Sequence, residues 1–163
     1  AKIAEHPDVK MVYFAIHTEN PVELKLHFRI PEWVKENVQV TINGEAYAQA
    51  GVPGEYLTIE QSFKDGDTIG LKLFKSVTTV PLEGDEKKVA FMYGPLALVG
   101  LCDSEKTLVA DKENPGDILK HSNEREWGSW KDSFVTTGQQ DAIRFIPIKD
   151  VGYDAYTVYF PIK

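Results

Sequence analysis

Residues Val22 to Ile30 read Val-Glu-Leu-Lys-Leu-His-Phe-Arg-Ile, a strict alternation of apolar and polar side chains. In an extended chain, successive side chains point to opposite faces, so Leu24 and Leu26 share one face while Lys25 and His27 share the other. An alternation with period two predicts a β-strand that rests one face on a core and exposes the other to water.

The same pattern recurs along the first half of the chain, with turn residues between the runs. Alternating runs at residues 38–42, 57–59 and 69–73 are separated by Asn43-Gly44 and by Asp65-Gly66-Asp67. Asn-Gly favours a tight hairpin because both residues tolerate positive φ. Met11 to Thr18 is more continuously apolar, which predicts a strand in the centre of a sheet.

The second half is less regular. Strands are predicted at Lys88–Tyr93 and Leu96–Leu101. A break is expected between them at Gly94-Pro95, because proline cannot donate a hydrogen bond to a neighbouring strand. Residues 103–140 are rich in polar and turn-forming residues and predict a long, partly ordered excursion. Strand character returns at Ala142–Ile148 and Ala155–Phe160.

These patterns predict an all-β fold, an antiparallel, jelly-roll-like β-sandwich made of two β units packed together. The expected boundary lies in the charged stretch Pro81–Lys87, which gives a sandwich domain at residues 1–82 and a second unit at residues 83–163. The alternative is a single larger body. No sustained apolar stripe of helical period is present, so long helices are not expected.

Charge and cysteine content exclude several classes of protein. The 18 basic and 25 acidic side chains give a net charge of −7, which argues against binding to nucleic acid or to an anionic membrane surface. No apolar run approaches the roughly 20 residues that span a bilayer. The single cysteine, Cys102, forms no internal disulfide and leaves the redox compartment open. The chain begins with Ala and has no signal peptide, which suggests a processed protein or a piece of a longer one.

Catalytic motifs are not found in the sequence. The four histidines lack metal-ligand spacing, and there is no Gly-x-Ser-x-Gly turn or phosphate-binding glycine loop. Asp65 and Asp67 are the nearest approach to the carboxylate pair that glycoside hydrolysis requires. Because they flank a turn glycine, a structural role in the turn is the stronger interpretation. We therefore predict no catalytic residue, no metal site and no cofactor in this chain.

Aromatic side chains are the best candidates for binding. Trp127 and Trp130 lie in the irregular stretch, where binding residues concentrate, and flat rings suit the CH-rich face of a sugar. They are the predicted carbohydrate-binding residues, and Tyr47, Tyr56, Tyr153 and Tyr156 could extend the platform. The alternative is that these rings fill a core or an interface, and Trp33 in particular is expected to pack.

Several stretches, taken in order, resemble the C-terminal β-sandwich region of glycoside hydrolase family 127, the β-L-arabinofuranosidase-like enzymes. The stretches that carry the resemblance are Phe28-Arg29-Ile30-Pro31-Glu32-Trp33, Val38–Ile42 with Asn43-Gly44-Glu45, Gly54–Ile59, Lys64–Asp67, Lys88–Leu96, Phe145–Ile148 and Tyr156–Phe160. Phe63 and Gln61 depart from the family pattern, where Trp and Arg are usual, so the substrate is not carried over.

The resemblance implies a non-catalytic accessory region that braces a catalytic barrel elsewhere in the parent protein. In such enzymes the active site lies in an N-terminal (α/α)6 barrel, with a zinc-held cysteine nucleophile and a glutamate acid/base, and Cys102 alone does not match that cluster. The implied partners are this N-terminal catalytic barrel and plant-type glycans. A periplasmic or secreted parent is compatible with the resemblance. The alternative is an autonomous carbohydrate-binding module.

Overall fold

The structure, a computed structural model, describes residues 8–122, 124–126 and 129–163. Side chains are described for all of these except residues 124–126 and 129–130. The chain divides into two compact units, residues 1–76 and residues 77–163, which we call unit 1 and unit 2. The sequence-based boundary after residue 82 falls in a hairpin of unit 2.

Unit 1 contains two antiparallel sheets. Its strands are β1 (Val9–Ala15), β2 (Val22–Arg29), β3 (Gln39–Ile42), β4 (Glu45–Ala46), β5 (Tyr56–Phe63) and β6 (Thr68–Phe74). One sheet has the order β1-β6-β3-β4, and the other pairs β2 with β5. Buried side chains from both sheets, including Ile59 of β5 and Leu71 of β6, share one core. The predicted antiparallel β-sandwich is therefore confirmed.

Unit 2 is built on one large sheet. Its strands are β7 (Val77–Leu82), β8 (Asp85–Tyr93), β9 (Leu96–Gly100), β10 (Leu119–His121), β11 (Glu124–Glu126), β12 (Ser129–Lys131), β13 (Phe134–Thr136), β14 (Arg144–Pro147) and β15 (Phe160–Pro161). The sheet order is β10-β13-β14-β9-β8-β15, with β7 also paired to β8, while β11 and β12 form a separate hairpin. The core of this unit contains several fully buried aromatic rings, among them Phe91, Phe145 and Phe160.

Helical structure is confined to two short 3₁₀ turns, Pro115–Ile118 and Ile148–Asp150, in the described part of the chain. The all-β prediction is therefore confirmed. None of the helices described here is long and apolar enough to cross a membrane.

Two local predictions were wrong. β1 lies at one end of its sheet rather than in the centre, although its sequence is continuously apolar. Within Ala155–Phe160, only Phe160 belongs to a strand, because the preceding residues contribute a single bridge between Thr157 and Gly100. The stretch 103–140, expected to be partly ordered, contains the four short strands β10 to β13, and the strand β7 was not predicted.

The Asn43-Gly44 turn forms as predicted. Asn43 has φ of 53° and Gly44 has φ of 82°, and the flanking residues Ile42 and Glu45 are paired between β3 and β4. Positive φ at both central residues is the hairpin geometry whose twist matches the flanking strands.

Candidate functional site

The predicted sugar-binding tryptophans are only partly located. Trp127 lies outside the described residues. The backbone of Trp130 belongs to β12 and pairs with Arg125 of β11, and its side chain is not described. A carbohydrate site at these two residues therefore stays a prediction.

The other aromatic candidates separate into two groups. Trp33 and Tyr47 pack against the core of unit 1, as expected of Trp33. Tyr56 is 65% exposed in unit 1, whereas Tyr153 and Tyr156 are exposed in unit 2. The exposed tyrosines are thus divided between the units, and Trp33 and Tyr47 belong to the packing of unit 1.

The carboxylate of Asp67 is held by groups of its own unit. It accepts hydrogen bonds from the backbone N–H of Lys64 at 2.8 Å and from the side-chain amide of Asn43 at 3.0 Å. Asn43 in turn accepts a 2.9 Å bond from the backbone N–H of Thr68 through its side-chain oxygen. Asp67 therefore connects the β5–β6 turn to the β3–β4 hairpin.

These bonds determine the charge state of Asp67. The backbone N–H of Lys64, followed by the amide of Asn43, lowers the pKa of Asp67 below its usual value, and desolvation opposes this only in part. A carboxylate with a lowered pKa that is engaged by local donors suits a structural role better than that of a general acid.

The neighbouring Asp65 has a similar role at the surface. One of its oxygens accepts a 3.1 Å bond from the backbone N–H of Thr18 and lies 3.6 Å from Nδ1 of His17. Asp65 therefore joins the β5–β6 turn to the β1–β2 loop. The two carboxylates act separately on different loops, which agrees with the interpretation of this pair as turn residues.

The remaining reactive groups are also engaged in local contacts. The ring of His27 lies 2.9 Å from the hydroxyl of Thr58 across β2 and β5, and the ring of His121 packs against Tyr93 and Phe134. The thiol of Cys102 lies 3.8 Å from the carbonyl oxygen of Gly100. Within the described residues, no three His, Cys, Asp or Glu side chains lie close enough together to hold a metal ion.

An open groove in unit 2 has a mixed-charge lining. Lys87, Lys112 and Lys163 lie along it together with Glu86, and all four side chains are exposed. Exposed lysines keep their hydration, so these charged side chains are poorly suited to fix the orientation of a ligand.

A partly exposed apolar surface lies in unit 1, where Phe14 of β1 contacts Phe28 of β2. We call it the β1–β2 flank, and it consists of Phe14, Leu24, Leu26 and Phe28. The rings of Phe14 and Phe28 have centroids 4.9 Å apart and planes inclined by 55°, and Phe14 is 40% exposed. The alternating pattern of β2 had placed these side chains on a core-facing side, and it carries no signal that the cover is incomplete.

Comparison with known proteins identifies relatives of this fold. Residues 2–74 match the profile of the β-L-arabinofuranosidase GH127 middle domain. No curated protein sequence shows significant similarity to the chain.

Solved structures share the fold over almost the whole chain. A structure described as a glycoside hydrolase gives a TM-score of 0.68 at 20% identity, over 96% of this chain and 31% of its own. A GH127 β-L-arabinofuranosidase from Geobacillus stearothermophilus gives a TM-score of 0.67 at 20% identity. The match covers 97% of this chain and 29% of that structure. A GH127 β-arabinofuranosidase gives a TM-score of 0.70 at 17% identity, and the match covers 99% of this chain and 31% of that structure.

The chain thus spans about a third of the length of these structures. The profile is that of a middle domain, so the expected C-terminal placement stays a prediction. Residues 2–74 are thus similar to the GH127 middle domain, and the chain as a whole shares its fold with parts of glycoside hydrolase structures, two of which are GH127 enzymes.

Proposed function

We propose that this chain is a non-catalytic accessory region of a family 127-like glycoside hydrolase, where it braces a catalytic barrel in the rest of the parent protein. The observation that carries the proposal is the fold match, which covers at least 96% of this chain but no more than 31% of each relative. Two of those relatives are described as arabinofuranosidases.

The contacts of the acidic and thiol groups support a structural role. Asp65 and Asp67, the nearest approach to a catalytic pair in the sequence, accept hydrogen bonds from the loops around them. The thiol of Cys102 lies against a carbonyl of its own unit. Each unit has its own apolar core, as a rigid support requires.

An assay of the isolated chain tests the non-catalytic part of this proposal. We expect no turnover of aryl arabinofuranosides or of other aryl glycosides. Turnover that disappears when a single Asp or Glu is replaced would contradict the proposal.

The bracing part is tested in the parent protein. Removal of residues 1–163 is expected to lower the thermal midpoint of the remaining catalytic domain and to reduce its activity at a given temperature. A catalytic domain that is equally stable and equally active without this region would contradict bracing.

Carbohydrate binding is the second candidate, and the exposure of Tyr56, Tyr153 and Tyr156 favours it. Exposed rings that lack a packing role are typical of sugar-stacking surfaces. The test is titration with arabinan-, xylan- and pectin-derived oligosaccharides while tryptophan fluorescence is recorded. The comparison includes Trp127→Ala, Trp130→Ala and Tyr153→Ala, with Trp33→Phe as a control at a packing residue.

Under the bracing proposal, we expect no saturable fluorescence change with any of these sugars. Saturable binding at millimolar affinity or better that is lost in Trp127→Ala or Trp130→Ala would establish a sugar-binding role. Loss in Tyr153→Ala alone would place that site at the exposed tyrosines.

A further inference from the structure

The strand β2 has one side that the described part of the chain leaves without a strand partner. Within those residues, β2 pairs only with β5, over all eight positions from Val22 to Arg29. Such an edge presents a row of N–H and C=O groups that another strand can use.

The backbone pattern identifies which groups face that edge. At the end of β2, Ile30 directs both its N–H and its C=O toward the β5 side, bonding Glu55 at 2.9 Å and Gly54 at 3.0 Å. In an antiparallel pair, residues alternate between bonding to the partner and facing away from it. The N–H groups of Lys25 and His27 therefore point to the open edge, whereas those of Leu24 and Leu26 point to β5.

The side chains beside this edge are only partly covered. On β5, Leu57 and Ile59 are fully buried, but their cross-strand neighbours on β2, Phe28 and Leu26, are only half-buried. Both strands are edge strands of this two-stranded sheet in the described residues, so the difference shows that the apolar side of β2 is less completely covered than that of β5. One further strand beside β2 would bury the β1–β2 flank.

The strand β1 adds a second, independent sign. Its run of apolar residues is typical of a strand covered on more than one side, yet it ends its sheet, and Phe14 is left 40% exposed against Phe28. Together with the partly covered side chains of β2, Phe14 forms a contiguous apolar patch, and such patches are typical of interaction surfaces.

We propose that the open edge of β2 accepts an extended segment of the parent protein, supplied from outside this chain, which adds a strand to the β2–β5 sheet. This rests on the proposed function, in which about two thirds of the parent lies elsewhere. The strand β1 lies at the same flank, where the ring of Phe14 contacts that of Phe28.

The chemistry of the edge specifies the segment. Its main-chain groups bond to those of β2, and its alternate residues are apolar, facing Leu24, Leu26 and Phe28. On the other face, Lys25 and Arg29 project to solvent, where acidic side chains on the incoming strand would be favourable.

Amide hydrogen exchange tests the proposal directly. In this chain, the amides of Lys25 and His27 are expected to exchange quickly and those of Leu24 and Leu26 slowly. In the parent protein, the first pair is expected to slow by about tenfold or more, while the second pair, protected in both, serves as the internal control. Exchange of Lys25 and His27 that is equally fast in the parent would overturn the proposal.

A pair of variants distinguishes edge pairing from other effects. Lys25→Pro removes one N–H from the open edge, and Lys25→Ala keeps it while removing the same exposed contact with Glu60. Relative to Lys25→Ala, the proline variant is expected to lower the thermal midpoint more in the parent than in the isolated chain. If the thermal midpoints of Lys25→Pro and Lys25→Ala differ by the same amount in the parent and in the isolated chain, the added strand is contradicted.

Three other outcomes also decide the matter. Protection of Lys25 and His27 that appears in the isolated chain together with a dimer in light scattering would mean that a second copy occupies the edge, against the proposal. A parent that depends on this region for stability but leaves the two amides unprotected would contradict the added strand and leave bracing in place. A parent that is indifferent to the region would contradict bracing itself.

Discussion

Asp67 is the residue that connects the turns of unit 1. Its carboxylate accepts bonds from Lys64 and Asn43, its backbone carbonyl accepts one from Ile16, and its side chain is 6% exposed. Two loops therefore depend on one ionised group, and a third is bonded to the backbone of the same residue.

We expect Asp67→Asn to lower stability at neutral pH, because an amide in place of the carboxylate sets an NH2 group against either Asn43 or Lys64. The pKa of Asp67 is lowered in the folded state, so its contribution is complete above the unfolded pKa of about 4 and is lost as the pH falls through the lower folded pKa. Urea midpoints of both proteins should therefore differ at pH 7 and converge in acid.

Asp65→Asn is the matched control, since Asp65 belongs to the same turn but has a side chain 67% exposed. Its effect on the midpoint should be smaller. If the urea midpoints of wild type and Asp67→Asn differ by the same amount from pH 7 to pH 3, the charge of Asp67 is not the source of its stabilising effect.

Gly100 provides a second prediction at this scale. A Cβ at this position would lie 2.5 Å from Cζ of Phe160 and 3.1 Å from Cζ of Phe145, and both rings are fully buried. Because neither ring has room to move, Gly100→Ala should cost about 1–3 kcal/mol, the range for overpacked cores. Gly152→Ala, where no atom lies within 4 Å of the added carbon, should change stability by no more than about 0.5 kcal/mol in chemical denaturation.

Among the elements, the β3–β4 hairpin gives the sharpest prediction. Gly44 has φ of 82°, and no atom lies within 4 Å of the place that a Cβ would occupy, so any penalty comes from the backbone alone. Gly44→Val should destabilise by about 1–2 kcal/mol, because a β-branched residue resists positive φ. Gly44→Asn should lower the free energy of unfolding by less than Gly44→Val. Equal denaturation midpoints for these two variants would argue against a backbone effect.

The sequence was a good guide to elements that have a regular pattern and a defined turn. The strand beginning at Val22 and the turn at Asn43-Gly44 follow from side-chain alternation and from local φ preferences, which act over a few residues. The position of β1 at the end of its sheet does not follow, because sheet order is set by partners distant in sequence. The same limit applies to the β1–β2 flank, since the alternation of β2 does not show how completely its apolar side chains are covered.

At the scale of the whole molecule, the last residues of the chain complete the core of unit 2. Phe160 is fully buried and pairs with Val89, and Ile162 forms a parallel bridge with Leu108. We expect Phe160→Ala to cost about 3–5 kcal/mol, the range for a deleted buried aromatic ring. Tyr159→Ala, at a side chain 38% exposed, is the control, and equal losses in thermal unfolding would contradict this account of the core.

That late pairing has a consequence for biosynthesis. The described strands of unit 1 have all been translated by residue 74. In unit 2, by contrast, β8 and β9 lack some of their partners until β15 and the bridge residues Thr157 and Ile162 have been translated. At typical translation rates the delay is on the order of ten seconds, during which the apolar strands of unit 2 are synthesised but not closed. A ribosome that stalls shortly before residue 160 would therefore present a nascent chain with unit 1 ready to fold and the aromatic core of unit 2 open to chaperones and proteases.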